Sequence, residues 1–161
     1  MDLFLVRHAI AFEPDPERWP DDRDRPLTRE GRDAFRRAAR GLDRIVPRPT
    51  LVLSSPFQRA MQTARLLERH AGWPPAEKED GLSMEPNWPL LRERLAGLER
   101  VALVGHAPYL GQLASLLLAG DESSLALEFK KGTVARIEWD GDGRATLRGL
   151  WSPRMLRTLV R

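Results

Sequence analysis

The chain has 161 residues, 42% hydrophobic and 30% charged, with a net charge of +3; these values predict a single globular domain over residues 1–161, not a disordered chain. It has no cysteine, which excludes a disulfide scaffold, a thiolate nucleophile and any cysteine-ligated zinc or iron–sulfur centre. Of its 26 basic residues only Lys78, Lys130 and Lys131 are lysines, and the arginines alternate with acids, as in Asp21-Asp22-Arg23-Asp24-Arg25, a salt-bridged surface and not the basic stripe of a nucleic-acid binder.

Asp2–Val6 is an apolar run too short for a helix and predicts a buried strand. Glu13–Arg25 is charged, contains Pro14, Pro16 and Pro20, and predicts a loop. Thr28 then opens a helix whose apolar positions, Ala34, Phe35, Ala38, Ala39, Leu42 and Ile45, recur at spacings of three and four until Pro47 and Pro49 end it. Leu51-Val52-Leu53 predicts a second strand. Ser55-Pro56-Phe57-Gln58 follows with Ser, Pro and Gln at the spacing of N-cap, N1 and N3, so a helix is expected from Ser55 to about Gly72.

A proline-rich connection over Trp73–Pro89 holds one short strand near Ala76–Glu79. Trp88–Leu98 predicts a helix, Val101–Val104 a third buried strand, and Tyr109–Ala119 an apolar helix. Thr133–Trp139 and Arg144–Trp151 flank Asp140-Gly141-Asp142-Gly143, a hairpin signal, and Ser152-Pro153 caps a last short helix. Strands alternating with helices and then a hairpin predict an α/β fold, a three-layer α-β-α sandwich with a mostly parallel sheet and an antiparallel edge. No apolar run approaches the roughly 20 residues that span a bilayer, and residues 1–7 lack the basic start and cleavage site of a signal peptide. A cytoplasmic protein with no membrane partner is the expectation.

Ligands of such sheets bind at the carboxyl ends of strands, which selects Arg7-His8, Ser54-Ser55 and Gly105-His106. His70 lies late in a helix beside Arg69 and reads as a surface residue. Neither H-x-x-x-H nor H-E-x-x-H occurs, so a metal reading of His8 and His106 is the weaker one. A guanidinium beside His8 disfavours imidazolium and can clamp a phosphoryl oxygen. Arg59, one turn into the helix after Ser55, can aim at the same spot, with the helix N-terminus and His106 adding donors. The residues point to a phosphoryl pocket with a built-in nucleophile.

Four stretches carry a resemblance. Leu5-Val6-Arg7-His8-Ala9, Arg25-Pro26-Leu27-Thr28-x-x-Gly31, Ser54-Ser55-Pro56-Phe57-Gln58-Arg59-Ala60-x-x-Thr63-Ala64 and Val104-Gly105-His106 resemble, in order, the motifs of the histidine phosphatase superfamily, which has the phosphoglycerate-mutase-like fold. The chain's small size and its ending Trp151-Ser152-Pro153-Arg154-Met155-Leu156 are most similar to the phosphohistidine phosphatases of the SixA type. The resemblance implies a phosphatase that uses no metal or other cofactor. His8 would be the nucleophile and pass through a phosphohistidine, with Arg7, Arg59 and His106 catalytic and phosphate-binding and Arg25 an added phosphate ligand.

Two departures from the pattern matter. Ala9 stands where the signature has Gly. The mutase-like and broad-specificity branches also place a Glu after the third strand as general acid; here that region reads Leu82–Trp88, which leaves Glu85, or Asp22 and Asp24 in the first loop, as candidate proton donors. A weak acid favours a phosphoramidate substrate. The leading expectation is therefore a phosphorylated protein, such as a histidine-containing phosphotransfer domain. A small phosphorylated metabolite or phosphopeptide is the alternative, and a non-catalytic phosphate-binding module a third reading.

Overall fold

The apolar run after Met1 forms strand β1 (Asp2–Arg7) in the computed structural model, which describes residues 1–84 and 86–160. Helix α1 (Arg29–Leu42) is capped by Thr28, whose side chain accepts from the Gly31 amide. There follow β2 (Leu51–Ser54), α2 (Gln58–Ala71), β3 (Ala76–Lys78), α3 (Trp88–Leu95), β4 (Arg100–Gly105) and α4 (Tyr109–Ala119). The chain closes with the hairpin β5 (Val134–Trp139) and β6 (Ala145–Trp151) and a short helix α5 (Pro153–Thr158), capped by Ser152. The sheet order is β3-β2-β4-β1-β5-β6, parallel from β3 to β1 and antiparallel across β5 and β6. The expected α/β sandwich with an antiparallel edge is the observed one.

Alternation along the central strands divides the core in two. Phe4, Val6, Ala102 and Val104 meet α1, α2 and α5, while Leu3, Leu5, Val101 and Leu103 meet α3 and α4. Trp73 is buried against Phe4, ring centroids 5.6 Å apart. Among the described residues, no helix is long and apolar enough to cross a membrane.

Away from the strand ends, the following features differ from the sequence expectations. Gly97 takes a positive φ of 78° just past Ala96, so α3 stops at Leu95 and not at Leu98. Beyond Leu42, the amides of Arg44 and Ile45 bond back only three residues, and this tighter turn leaves Ile45 exposed and buries Val46. The Glu13–Arg25 loop contains one 3-10 turn, Asp22–Asp24, with Asp21 as its cap.

Helix α1 meets α5 at Gly41, where an added Cβ would lie 2.0 Å from the Leu156 carbonyl oxygen. Alanine is favoured over glycine in a helix interior by about 1 kcal/mol, yet here it would force two backbones apart, at a cost of about 1–3 kcal/mol. Gly41→Ala is therefore expected to lower the urea midpoint. A raised midpoint would show that α5 yields freely.

Candidate active site

Parallel pairing sets the strand ends side by side. Arg7 is level with Gly105, and Val104 with Ser54. The His8 amide donates to the Gly105 carbonyl at 3.0 Å and the Ser55 amide to that of Val104 at 2.9 Å. His8, Ser55 and His106 therefore leave three neighbouring strands at one level, and the two imidazole centroids lie 5.3 Å apart.

The turn after His8 is tied to two helices. The Ala9 amide donates to Thr63 Oγ1 at 3.0 Å, and that hydroxyl donates to the Arg59 carbonyl at 2.8 Å within α2. Thr28 and Phe12 donate their amides to the Ile10 and Pro26 carbonyls, pairing Ile10–Phe12 with Pro26–Thr28. The third side of that contact is Gly31, where a Cβ would lie 2.1 Å from the Ile10 carbonyl oxygen. The spacing from Arg25 to Gly31 thus presses the start of α1 against the turn beyond His8 and brings Arg25 in. Ala9 is buried, and no non-glycine residue described has a positive φ, so the backbone here does not call for glycine.

His8 Nδ1 lies 2.7 Å from the Ala9 carbonyl oxygen. A carbonyl only accepts, so the ring hydrogen sits on Nδ1 and Nε2 keeps its lone pair. Burial pushes the His8 pKa down to about 3, and the Arg59, Arg7 and Arg25 charges push the same way against the bond to Ala9. The sequence pointed to the neighbouring arginine as the cause; burial is the larger one. His106 is likewise pushed down to about 3, first by burial and then by His8 and Arg59.

Three guanidinium groups surround this pair. Arg7 donates to the Phe129 carbonyl at 2.6 Å. Arg59 is 2% exposed, lies 4.9 Å from the Phe57 ring centroid, and donates through Nη1 to the Asp22 carbonyl at 2.9 Å. Its Nη2 is 3.1 Å from Asp22 Oδ2. Arg25 is 8% exposed and donates through Nε to Asp22 Oδ1 at 2.6 Å and through Nη1 to the Phe12 carbonyl. Burial lowers the pKa of both Arg7 and Arg59, so each charge is held where water solvates it poorly. Among the described residues four buried side-chain nitrogens lack a partner, and Arg7 Nε, Arg59 Nε and His106 Nδ1 are three of them. Buried donors are normally satisfied; these exceptions, two beside the ends of β1 and β4 and one in the first turn of α2, leave donors that an acceptor-rich ligand can satisfy.

Arg7, His8, Arg25, Arg59, His106 and Asp22 are thus brought together. Asp24 is exposed and makes no ion pair with the described residues, and Glu85 lies outside the described residues. Asp22 is held below the usual carboxylate range, chiefly by its bond to Arg25 and further by Arg59. His70 is half-buried late in α2, its pKa lowered by burial and then by Arg40, Arg36 and Arg69. No three His, Asp or Glu side chains among the described residues converge to hold a metal ion.

Ser55 does not cap α2 as the sequence pattern suggests. The helix begins at Gln58, and its N-cap Phe57 makes no side-chain cap bond. The Ser55 hydroxyl instead accepts the Phe57 amide at 3.3 Å and lies 2.8 Å from His106 Nε2. Thr63 was legible only as a motif letter; its role in joining Ala9 to Arg59 depends on the packing of α2 under β1.

A family model for the histidine phosphatase superfamily (branch 1) matches residues 3–88. An uncharacterised protein of Picosynechococcus sp. is 32% identical, over 97% of this chain and 99% of its own. The structure of the protein histidine phosphatase SixA complexed with tungstate superposes with a TM-score of 0.83 at 28% identity, covering 96% of this chain and 98% of that one. The sheet and its flanking helices thus have the phosphoglycerate-mutase-like fold. The family match begins inside β1 and runs through Arg7, His8, Arg25 and Arg59, and on that ground the chain belongs to the histidine phosphatase superfamily and is a phosphatase.

Proposed function

We propose that the protein is a protein phosphohistidine phosphatase with His8 as its nucleophile. The observation that carries the reading is the His8 ring: its hydrogen is committed to the Ala9 carbonyl, and Nε2 is a free lone pair among three guanidinium groups. In the first step Nε2 attacks phosphorus in line. The bond from His8 Nε2 to phosphorus forms and the bond from phosphorus to the substrate imidazole breaks; the substrate ring, already protonated on its other nitrogen, keeps the electron pair and leaves as neutral imidazole. In the second step a water oxygen attacks phosphorus, the bond to Nε2 breaks, and inorganic phosphate leaves with the water protons. Arg7, Arg25 and Arg59 hold the equatorial oxygens as charge redistributes. With the Ser55 hydroxyl donating to His106 Nε2, the His106 hydrogen sits on Nδ1, the atom without a partner, and serves as a further donor.

Phosphohistidine is favoured over a sugar or serine phosphate by the state of the pocket's acid. Asp22 is the carboxylate that the described residues bring there, and Arg25 and Arg59 keep it ionised, so it has no proton to give an alkoxide. A phosphohistidine ring protonated on its other nitrogen leaves as neutral imidazole, whose conjugate acid has a pKa near 6.5, and so needs much less help. The SixA relative is itself a protein histidine phosphatase and was solved with tungstate, a tetrahedral oxyanion like phosphate.

Phosphate release from a phosphohistidine peptide in EDTA is expected from the native protein, with His8→Ala at least about 10³-fold slower. A sugar phosphate should turn over more slowly than the peptide. Release by His8→Ala at the native rate would remove His8 from the reaction, and faster turnover of the sugar phosphate would move the assignment to a phosphomonoesterase. EDTA-sensitive release would overturn the metal-free reading.

A further inference from the structure

Asp22 is a half-exposed carboxylate set upon two almost fully buried guanidinium groups: the side chains are 48% exposed for Asp22, 10% for Arg25 and 3% for Arg59. Its two oxygens meet the Nε–Nη2 edge of Arg25, Oδ1 at 2.6 Å and Oδ2 at 3.4 Å. This is the side-by-side arrangement with which a guanidinium takes two phosphoryl oxygens. Oδ2 also takes Arg59 Nη2, and the Asp22 carbonyl takes Arg59 Nη1. Both terminal nitrogens of Arg59 are therefore spent on this one residue, and the bidentate edge of Arg25 with them. A phosphoryl group that used either arginine in this manner would have to replace the carboxylate.

We infer that Asp22 is an internal stand-in for the phosphoryl group: it holds Arg25 and Arg59 in their working positions between turnovers and competes with product phosphate for them. The inference rests on the proposed reading of the pocket as a phosphoryl site. The geometry suits an occupant that comes and goes. The carboxylate reaches its partners from the solvent side, on a 3-10 turn of three residues, Asp22–Asp24, whose own cap is the neighbouring Asp21. Withdrawing it breaks no packing in either half of the core, since neither contains Asp22. Three guanidinium groups and two neutral imidazoles would otherwise hold a phosphate dianion against little negative charge, that of Glu128 acting on Arg7, and a tightly retained product slows every subsequent turnover. Because the carboxylate carries half the charge of a phosphoryl dianion, it yields to substrate and reclaims the arginines when the product loosens.

The test is titration of inorganic phosphate into the native protein and into Asp22→Asn, followed by calorimetry, with product inhibition of phosphohistidine-peptide hydrolysis measured in parallel. Asparagine keeps the shape and the acceptor oxygen but removes the competing charge. Phosphate is expected to bind Asp22→Asn about tenfold more tightly, as one uncancelled charge at this range warrants, and to inhibit hydrolysis at correspondingly lower concentration. A residue that merely braced the arginines would give the opposite sign, because its loss would loosen them and weaken binding. Equal or weaker phosphate binding by Asp22→Asn overturns the inference and leaves the phosphoryl pocket standing. Binding to neither protein overturns the pocket reading and the inference together. Asp22→Ala, which removes the amide as well, serves as the second variant should Asp22→Asn not fold, with the same sign expected.

Discussion

Replacement of Arg59 by Met is expected to lower kcat/KM for a phosphohistidine peptide by about 10³-fold, with most of the loss in kcat, since an arginine on a transferring phosphoryl group contributes about 10³–10⁵. Arg59 is the second residue of α2, so the first turn of that helix delivers it to the strand ends, and Thr63, one turn later, ties the same stretch to the amide beyond His8. The guanidinium is almost fully buried yet leaves Nε without a partner. Methionine suits a helix and fills much of the same volume. Asp22 keeps Arg25 as a partner, so the substitution strands no buried carboxylate and the protein should fold. Arg59→Lys retains the charge and loses the fork, and should recover part of the rate, to about 10²-fold below native by the scale of a single lost oxyanion donor. Activity of Arg59→Met within threefold of native would remove Arg59 from the phosphoryl site.

The sequence made the sheet legible because its central strands are short apolar runs bounded by polar residues, and each of β1, β2 and β4 ends where that run breaks. Helix α4 lies within the predicted bounds because an apolar stretch meets Pro108 on one side and Gly120, in a left-handed conformation, on the other. The strand-end rule then singled out His8 and His106 without reference to distance. What stayed hidden depends on contacts between distant residues. Ser55 has the pattern of a helix cap, but the hydroxyl serves a histidine 51 positions away, and local spacing carries no sign of that. Asp22 sits in a run of alternating charges in which any acid could pair with any arginine. Its selection by both Arg25 and Arg59 requires α2 to be packed under the first loop. Val46 replaced Ile45 in the core because the chain tightens after α1, a change of pitch that a fixed helical period cannot register.

Acid should unfold this protein before it titrates His8, the proposed nucleophile. The lone pair of His8 survives in the native state down to about pH 3, because burial first and the Arg59, Arg7 and Arg25 charges after it oppose imidazolium, and His106 behaves alike. In the unfolded chain both rings take up protons near pH 6.5. Between those limits the unfolded state holds more protons than the native state, so the free energy of unfolding falls as the pH falls. The stability that the two neutral rings confer is fully present above about pH 7 and drains away towards pH 3. Each ring approaches about 1.4 kcal/mol per pH unit, so the pair should remove about 4 kcal/mol from the unfolding free energy between pH 7 and pH 5. That is a large part of the 5–15 kcal/mol typical of a domain. Asp22, whose pKa is lowered from an already acidic value, contributes nothing to the difference over this window. His70 adds to the loss in the same direction but is common to native protein and variants. Urea unfolding at pH 7, 6 and 5 is the measurement, with His8→Gln and His106→Gln each expected to abolish about half of the 4 kcal/mol. A native protein that lost less than about 1 kcal/mol over that range would show that the imidazoles are solvated in the folded state, which would also withdraw the buried, neutral His8 on which the proposed chemistry depends.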